Sequence, residues 1–362
     1  YNCSFTTLER VIASELISDA IYSFEGGKGT VVNTSGSLAI QPATITDGLV
    51  TAASNFRMGH TAAGWRFGRF STPTRMASFT LGRVGSTSDL TYMGTSQTGS
   101  SPIQTVGNVA IDGGTILLSS NIDSTSGNVT LTSTGTSKSF SKTTHTISAG
   151  GDVGISSSGS VDTGSGAVSA AAIRITPVTT YAGTAALGAS GGVVSISGGS
   201  TVAVSGPVTA TGNITLSGSG AITNPTSGAT SGTLTSTGGS ASITSSGANI
   251  NLTNAVSAPS GVTLSAKTTV ASAAVTASSG AFTVSSTDST VTVNGTTSAQ
   301  SISITPKTTY TGAGSLTATS GTLTISGGSS ITPTGNFEAS GNITLSGSGK
   351  LLLTSRTVNS TG

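Results

Sequence analysis

Charge is scarce in this sequence. Asp, Glu, Lys and Arg together number 26 in 362 residues, where an ordinary globular domain is about a quarter charged. Titratable chemistry needs titratable side chains, so the shortage argues against an enzyme. Aromatics are also few, at nine Phe, five Tyr and one Trp, so bulky rings cannot fill a thick core. The one cysteine, Cys3, excludes an internal disulfide framework and a thiolate zinc cluster. It leaves an inert thiol or an intermolecular disulfide through Cys3. No apolar run approaches the ~18 residues of a membrane-spanning helix; the longest, such as Leu351-Leu352-Leu353, are tiny. A net charge of +2 gives no bulk attraction to nucleic acid or to an anionic membrane. The chain opens on Tyr1 and reads as processed or trimmed, its leader missing.

What is abundant is hydroxyl and glycine. Ser (65), Thr (66) and Gly (51) make up half the chain. Disordered chains are usually charged and poor in β-branched residues; here Val, Ile and Thr are plentiful. The composition shifts near residue 105. Residues 1–100 hold 13 of the 26 charges, all three Met and Trp65, whereas 175–266 contain no charged side chain. This divides the chain into an N-terminal cap or assembly segment, 1–105, and a Gly/Ser/Thr-rich β-repeat region, 106–362.

The repeat region alternates apolar and small polar residues in short bursts, including Asn128-Val129-Thr130-Leu131, Val193-Val194-Ser195-Ile196, Asn213-Ile214-Thr215-Leu216, Asn249-Ile250-Asn251-Leu252 and Thr322-Leu323-Thr324-Ile325. A period of two means strands with one buried face. Gly, Ser and Asn bracket each burst, as turns require. Residues 173–222 recur as 302–351 without a gap at an offset of 129, an internal duplication. Gly residues precede strands at 191, 212, 232, 321 and 341. A beat of about 20 residues suits one turn of a β-solenoid. The expected fold is therefore all-β: a parallel β-helix in which stacked Ser, Thr and Asn form hydrogen-bonded ladders. The alternative is a set of tandem β-sandwich domains, which usually need bulky aromatics for a core ~10 Å thick. The candidates here are Tyr181, Tyr310, Phe140, Phe282 and Phe337. Some 13 turns at roughly 4.8 Å each would make a rod on the order of 60 Å long.

The strings GNITLSGSGAI (212–222), SGTLTSTGGSASIT (231–244) and SGVTLSA (260–266) resemble filamentous-haemagglutinin-like and autotransporter-passenger-like surface repeats. That resemblance covers roughly 126–355 and implies a right-handed parallel β-helix on a bacterial surface. Residues 1–105 do not resemble the secretion domain that opens such haemagglutinins.

In the N-terminal segment, Thr6 and Glu9 have capping-box spacing ahead of Val11, Ile12, Leu16 and Ile17, which predicts a short helix over 7–17. Such a segment caps the open end of a solenoid or joins one subunit to the next. Residues 56–83 concentrate Arg with aromatics. Arg57, Trp65, Arg66, Phe67, Arg69 and Phe70 are a candidate subunit interface, since Trp and Arg are common anchors. Arg stacked with aromatics also suits a base or a sugar, but the net charge does not support nucleic acid.

Candidate chemistry is thin. His60 and His145 stand apart, and no strand–helix GxSxG elbow is present. Asp112, Asp123, Asp152, Asp162, Asp288 and Glu338 are scattered, where a polysaccharide-cleaving β-helix groups its carboxylates, so such an enzyme is the minor alternative. Asp112-Gly113-Gly114 and Gly150-Gly151-Asp152 read as turns rather than Ca²⁺ ligands. No catalytic residue, cofactor or metal is expected. Eight Asn-x-Ser/Thr sequons barely exceed chance at this Ser/Thr content. The expectation is a non-enzymatic extracellular or cell-surface structural protein that assembles with copies of itself into a filament or layer. The alternative is a monomeric adhesin or phage-fibre-like rod that contacts surface glycans through a loop such as 132–150, where Ser139-Phe140-Ser141-Lys142 stands out.

Overall fold

The computed structural model describes residues 103–353 except 228–229, residues 356–361, and shorter stretches before them: 10–11, 15–17, 31–32, 37–41, 56–58, 75, 77–82, 85 and 90–93. It contains strands and no helix among the described residues. The chain divides into two compact units, Tyr1–Thr179 and Thr180–Gly362.

Both units are wound the same way. Each turn carries three short strands, and each strand pairs in parallel with its counterpart one turn later. In the first unit the first face is built from Ile103–Thr105, Ile122–Ser124, Ile147–Ala149 and Val168–Ala170. The second face runs through Val109–Gly113, Val129–Ser133, Val153–Ser157 and Ile173–Pro177. The third runs through Ile116–Ser119, Phe140–Lys142 and Val161–Asp162. Earlier second-face strands are Glu15–Ile17, Ser37–Gln41 and Ser78–Gly82. The second unit opens with the third-face strand Thr180–Gly183 and winds eight complete turns from Leu187–Ala189 to Lys350–Leu351. About twelve turns are described in all, one fewer than the sequence suggested. Parallel pairing of segments about 20 residues apart rules out the tandem sandwiches, whose sheets are antiparallel.

The alternation read from the sequence sets which residues point inward. Ile103, Ile122, Ile147 and Val168 stack on the first face, Val109, Val129, Val153 and Ile173 on the second, and all are fully buried. In the second unit Val194, Ile214, Ala241, Val262, Phe282, Ile302 and Leu323 form one such column. Each buried Val, Leu or Ile contributes about 1.5–3 kcal/mol, and each rests on its like in the turn below. Three sides only a few residues wide leave room for aliphatics and an occasional ring, which is why so few aromatics suffice. Tyr181, Tyr310, Phe140, Phe282 and Phe337 are all buried.

Serine closes the corners. Ser124 donates its hydroxyl to the Gly107 carbonyl at 2.7 Å and accepts the Gly127 amide at 3.1 Å. Ser236 does the same with Gly212 (2.7 Å) and Gly239 (2.8 Å), and Ser245 with Gly220 (2.6 Å) and Ala248 (3.1 Å). Each of these buried hydroxyls satisfies a carbonyl one turn back and an amide three residues on, groups that would be costly to leave unpaired. Asn residues ladder as expected: the Asn108 Oδ1 accepts the Asn128 amide, and the Asn128 Oδ1 accepts the Asp152 amide. At Gly127 a Cβ would run into the Gly107 backbone, so adjacent turns approach there more closely than any side chain permits.

Two expectations change. The helix over 7–17 is replaced by strands Arg10–Val11 and Glu15–Ile17, the latter paired with Ser37–Gln41. The β-branched Val11 and Ile17 suit extended backbone, and Glu15 would have broken the helix's apolar stripe. The glycine beat also shifts. Gly212 precedes a second-face strand, but Gly232 precedes the first-face strand Leu234–Ser236, and the second-face counterpart is Gly239 before Ala241–Ser245. An inserted antiparallel pair, Thr226–Ser227 with Thr230–Ser231, lengthens that turn and causes the offset.

Candidate functional site

Of the residues nominated as a subunit interface, Arg57 lies in the strand Phe56–Met58, which pairs with Leu90–Met93. Trp65, Arg66, Phe67, Arg69 and Phe70, as well as Cys3, lie outside the described residues.

Within the loop suggested for an adhesive contact, the residues that stand out in the sequence form part of the solenoid wall. Phe140–Lys142 is a third-face strand, with Phe140 and Lys142 facing inward at 0% and 1% exposure. Ser139 and Ser141 face outward, and Thr136, Ser137, Thr143, Thr144 and Thr146 are exposed in the same loop. Lys142 takes the core position that Leu118 fills one turn earlier. Its Nζ donates to the His145 carbonyl at 3.0 Å and to the Gly166 carbonyl. Burial pulls its pKa down to about 8, against the opposing pull of Asp162. Asp162 accepts the Gly164 amide at 2.8 Å. The His145 pKa is lowered, first by burial and then by the charge of Lys142. Lys142 ties the corner shut from within, and Asp162 lies exposed beside it. The Lys142 ammonium faces backbone carbonyls and is sealed from solvent.

The remaining acids are dispersed. Asp123 pairs with Arg75 and Asp152 with Arg174, each at 2.7 Å and partly exposed, where such pairs contribute little. Asp112 is not a turn residue but lies buried within Val109–Gly113. Its pKa is raised by burial, and a hydrogen bond with Thr132 opposes that shift. Among the described residues no group of three His, Cys, Asp or Glu is placed to hold a metal.

The most regular surface is the outer side of the second face in the second unit. Eight successive strands present two outward positions each, and all sixteen are Ser or Thr. One column is Ser195, Thr215, Ser242, Thr263, Thr283, Ser303, Thr324 and Thr344, aligned neighbour to neighbour. The other is Ser197, Ser217, Thr244, Ser265, Ser285, Thr305, Ser326 and Ser346. Within this second column Ser217 donates to Ser197 at 3.0 Å, and Ser285 to Ser265 at 3.3 Å. The strand bursts in the sequence contain this array, but it becomes a surface only once the register is known. The inward Lys142 was legible in principle, since alternation puts it on the same side as Phe140.

Neither the family models, the curated proteins nor the solved structures contain a match to this chain.

Proposed function

We propose that this chain is an extracellular structural protein that assembles with copies of itself into a surface filament or layer. The observation that carries this reading is where the duplicated segment falls. In the second unit, an offset of 129 residues spans six whole turns. Leu187 and Leu316 both begin first-face strands, Tyr181 and Tyr310 occupy the same third-face position, and Ile214 and Ile343 both begin second-face strands. A duplication that lands on whole turns leaves the winding intact and adds length and repeated surface. For a building material, length and repetition are the useful properties. The copies carry few charges, Arg174 in 173–222 and Lys307, Glu338 and Lys350 in 302–351, so what was duplicated is mostly uncharged wall. Stability here comes from backbone ladders and aliphatic stacks, which do not depend on salt. The likeness of the repeat strings to haemagglutinin-like and autotransporter-passenger-like surface repeats belongs to the same proposal. Negative-stain images and light scattering of the purified chain over a range of concentrations test it. Assemblies that grow with concentration are expected; a monodisperse monomer at the highest concentration refutes it.

A further inference from the structure

We infer that the hydroxyl-bearing second face of the second unit is the surface by which one copy packs against the same face of another, an inference that rests on the self-assembly reading above. Sixteen hydroxyls stand in two straight columns through eight turns. Neighbours are separated by about 4.8 Å along the axis and about 6.7 Å along each strand. A partner must match both spacings to use many of them at once, and a second copy of this chain matches both by construction.

The charge pattern agrees. None of the sixteen positions is charged, so pairing buries no ion and brings no like charges into opposition. Elsewhere the outward columns are interrupted: Arg174 on the second face of the first unit, Glu338 on the first face and Lys350 on the third face of the second unit. Lys267, Asp288 and Lys307 follow strands of the hydroxyl face at one edge and alternate in sign. They form a mixed polar rim of the kind that interfaces tolerate.

The area is sufficient. Eight turns give about 38 Å of length and a five-residue strand about 16 Å of width, or about 600 Å² per copy. Both copies together bury about 1,200 Å², the lower edge of stable interfaces. Small side chains let the two sheets approach closely and interdigitate, as in dry sheet-to-sheet packing. An interface of this size predicts reversible, concentration-dependent association.

The test is sedimentation of the full chain from low to high micromolar concentration, with circular dichroism as a check on folding. One variant carries Thr263→Lys and Thr283→Lys, two aligned face positions in adjacent turns. The control carries Thr209→Lys and Thr276→Lys, exposed positions on the first face. The wild-type chain and the control are expected to associate equally, and the face variant at least tenfold more weakly with an unchanged fold. If the face variant associates like the wild type, self-assembly stands and this face is not its surface. If the wild type stays monomeric throughout, the self-assembly reading itself falls. If a monomeric wild type instead sediments with crystalline cellulose or chitin and the face variant does not, the occupant is a carbohydrate lattice and pairing with a copy is overturned.

Discussion

Replacing Lys142 by Met should stabilise the protein at neutral pH. The ammonium sits at a position where Leu118 serves one turn earlier, and its pKa falls from 10.5 to about 8, chiefly through burial. That gap corresponds to roughly 3 kcal/mol of penalty for the charged form in the folded state. Met fills similar volume without charge. It also removes the donor from the His145 and Gly166 carbonyls, a loss of about 1 kcal/mol each. The net expectation is a gain of about 1 kcal/mol at pH 7. The pH dependence is a sharper signature. Below pH 8 the lysine is protonated in both states and the penalty is constant. Between 8 and 10.5 the unfolded chain holds the proton that the folded chain has lost, so stability rises with pH. Above 10.5 the curve is flat with respect to this group. Tyr310, whose hydroxyl pKa is raised by burial, acts in the opposite sense above pH 10, but it is common to both proteins. Urea unfolding followed by circular dichroism at pH 7, 8, 9 and 10 should therefore show the wild type gaining on the Met variant between pH 8 and 10. A variant less stable at pH 7, together with a pH-independent difference between the two proteins, would refute the reasoning.

Deleting residues 194–213 removes twenty residues and brings Ile214 into the position of Val194, its partner in the adjacent turn. This protein should keep its β circular dichroism and cooperative melting, and loss of either would refute the reading of 194–213 as one whole turn. Tyr310→Phe removes a buried hydroxyl that has no hydrogen-bond partner and should raise stability by about 1 kcal/mol, read as a shift in the urea midpoint; a loss of stability would mean that the hydroxyl is satisfied.

The solenoid was legible because alternation and a twenty-residue beat are local signals. Val129, Leu131, Ile214 and Leu216 announce their buried sides within four residues. What was not legible depends on which residues stack across turns. Alternation puts Lys142 on the side of Phe140, but only its alignment with Leu118 shows that this side is the core. The corner role of Ser124 or Ser236 involves a carbonyl some twenty residues back, invisible in a chain where serine is everywhere. The helix expected over 7–17 rested on a capping pair and a partial stripe, and parallel pairing with Ser37–Gln41 outweighs those local preferences for Glu15–Ile17. The inserted pair Thr226–Ser231 broke the beat and transferred Gly232 to another face.

From Ile103 onward, successive strands meet partners only 19 to 28 residues away, as with Ile103 to Ile122 and Ile222 to Ile250. The entropic toll of closing each loop is therefore nearly the same at every step. Once one coil exists, its open edge is a ready template for the next segment to emerge. The chain can be wound in the order in which it is synthesised, like thread onto a spool, without waiting for its far end. A longer relative made by repeating this motif would take proportionally more time to finish, yet face no higher barrier at any point along the way.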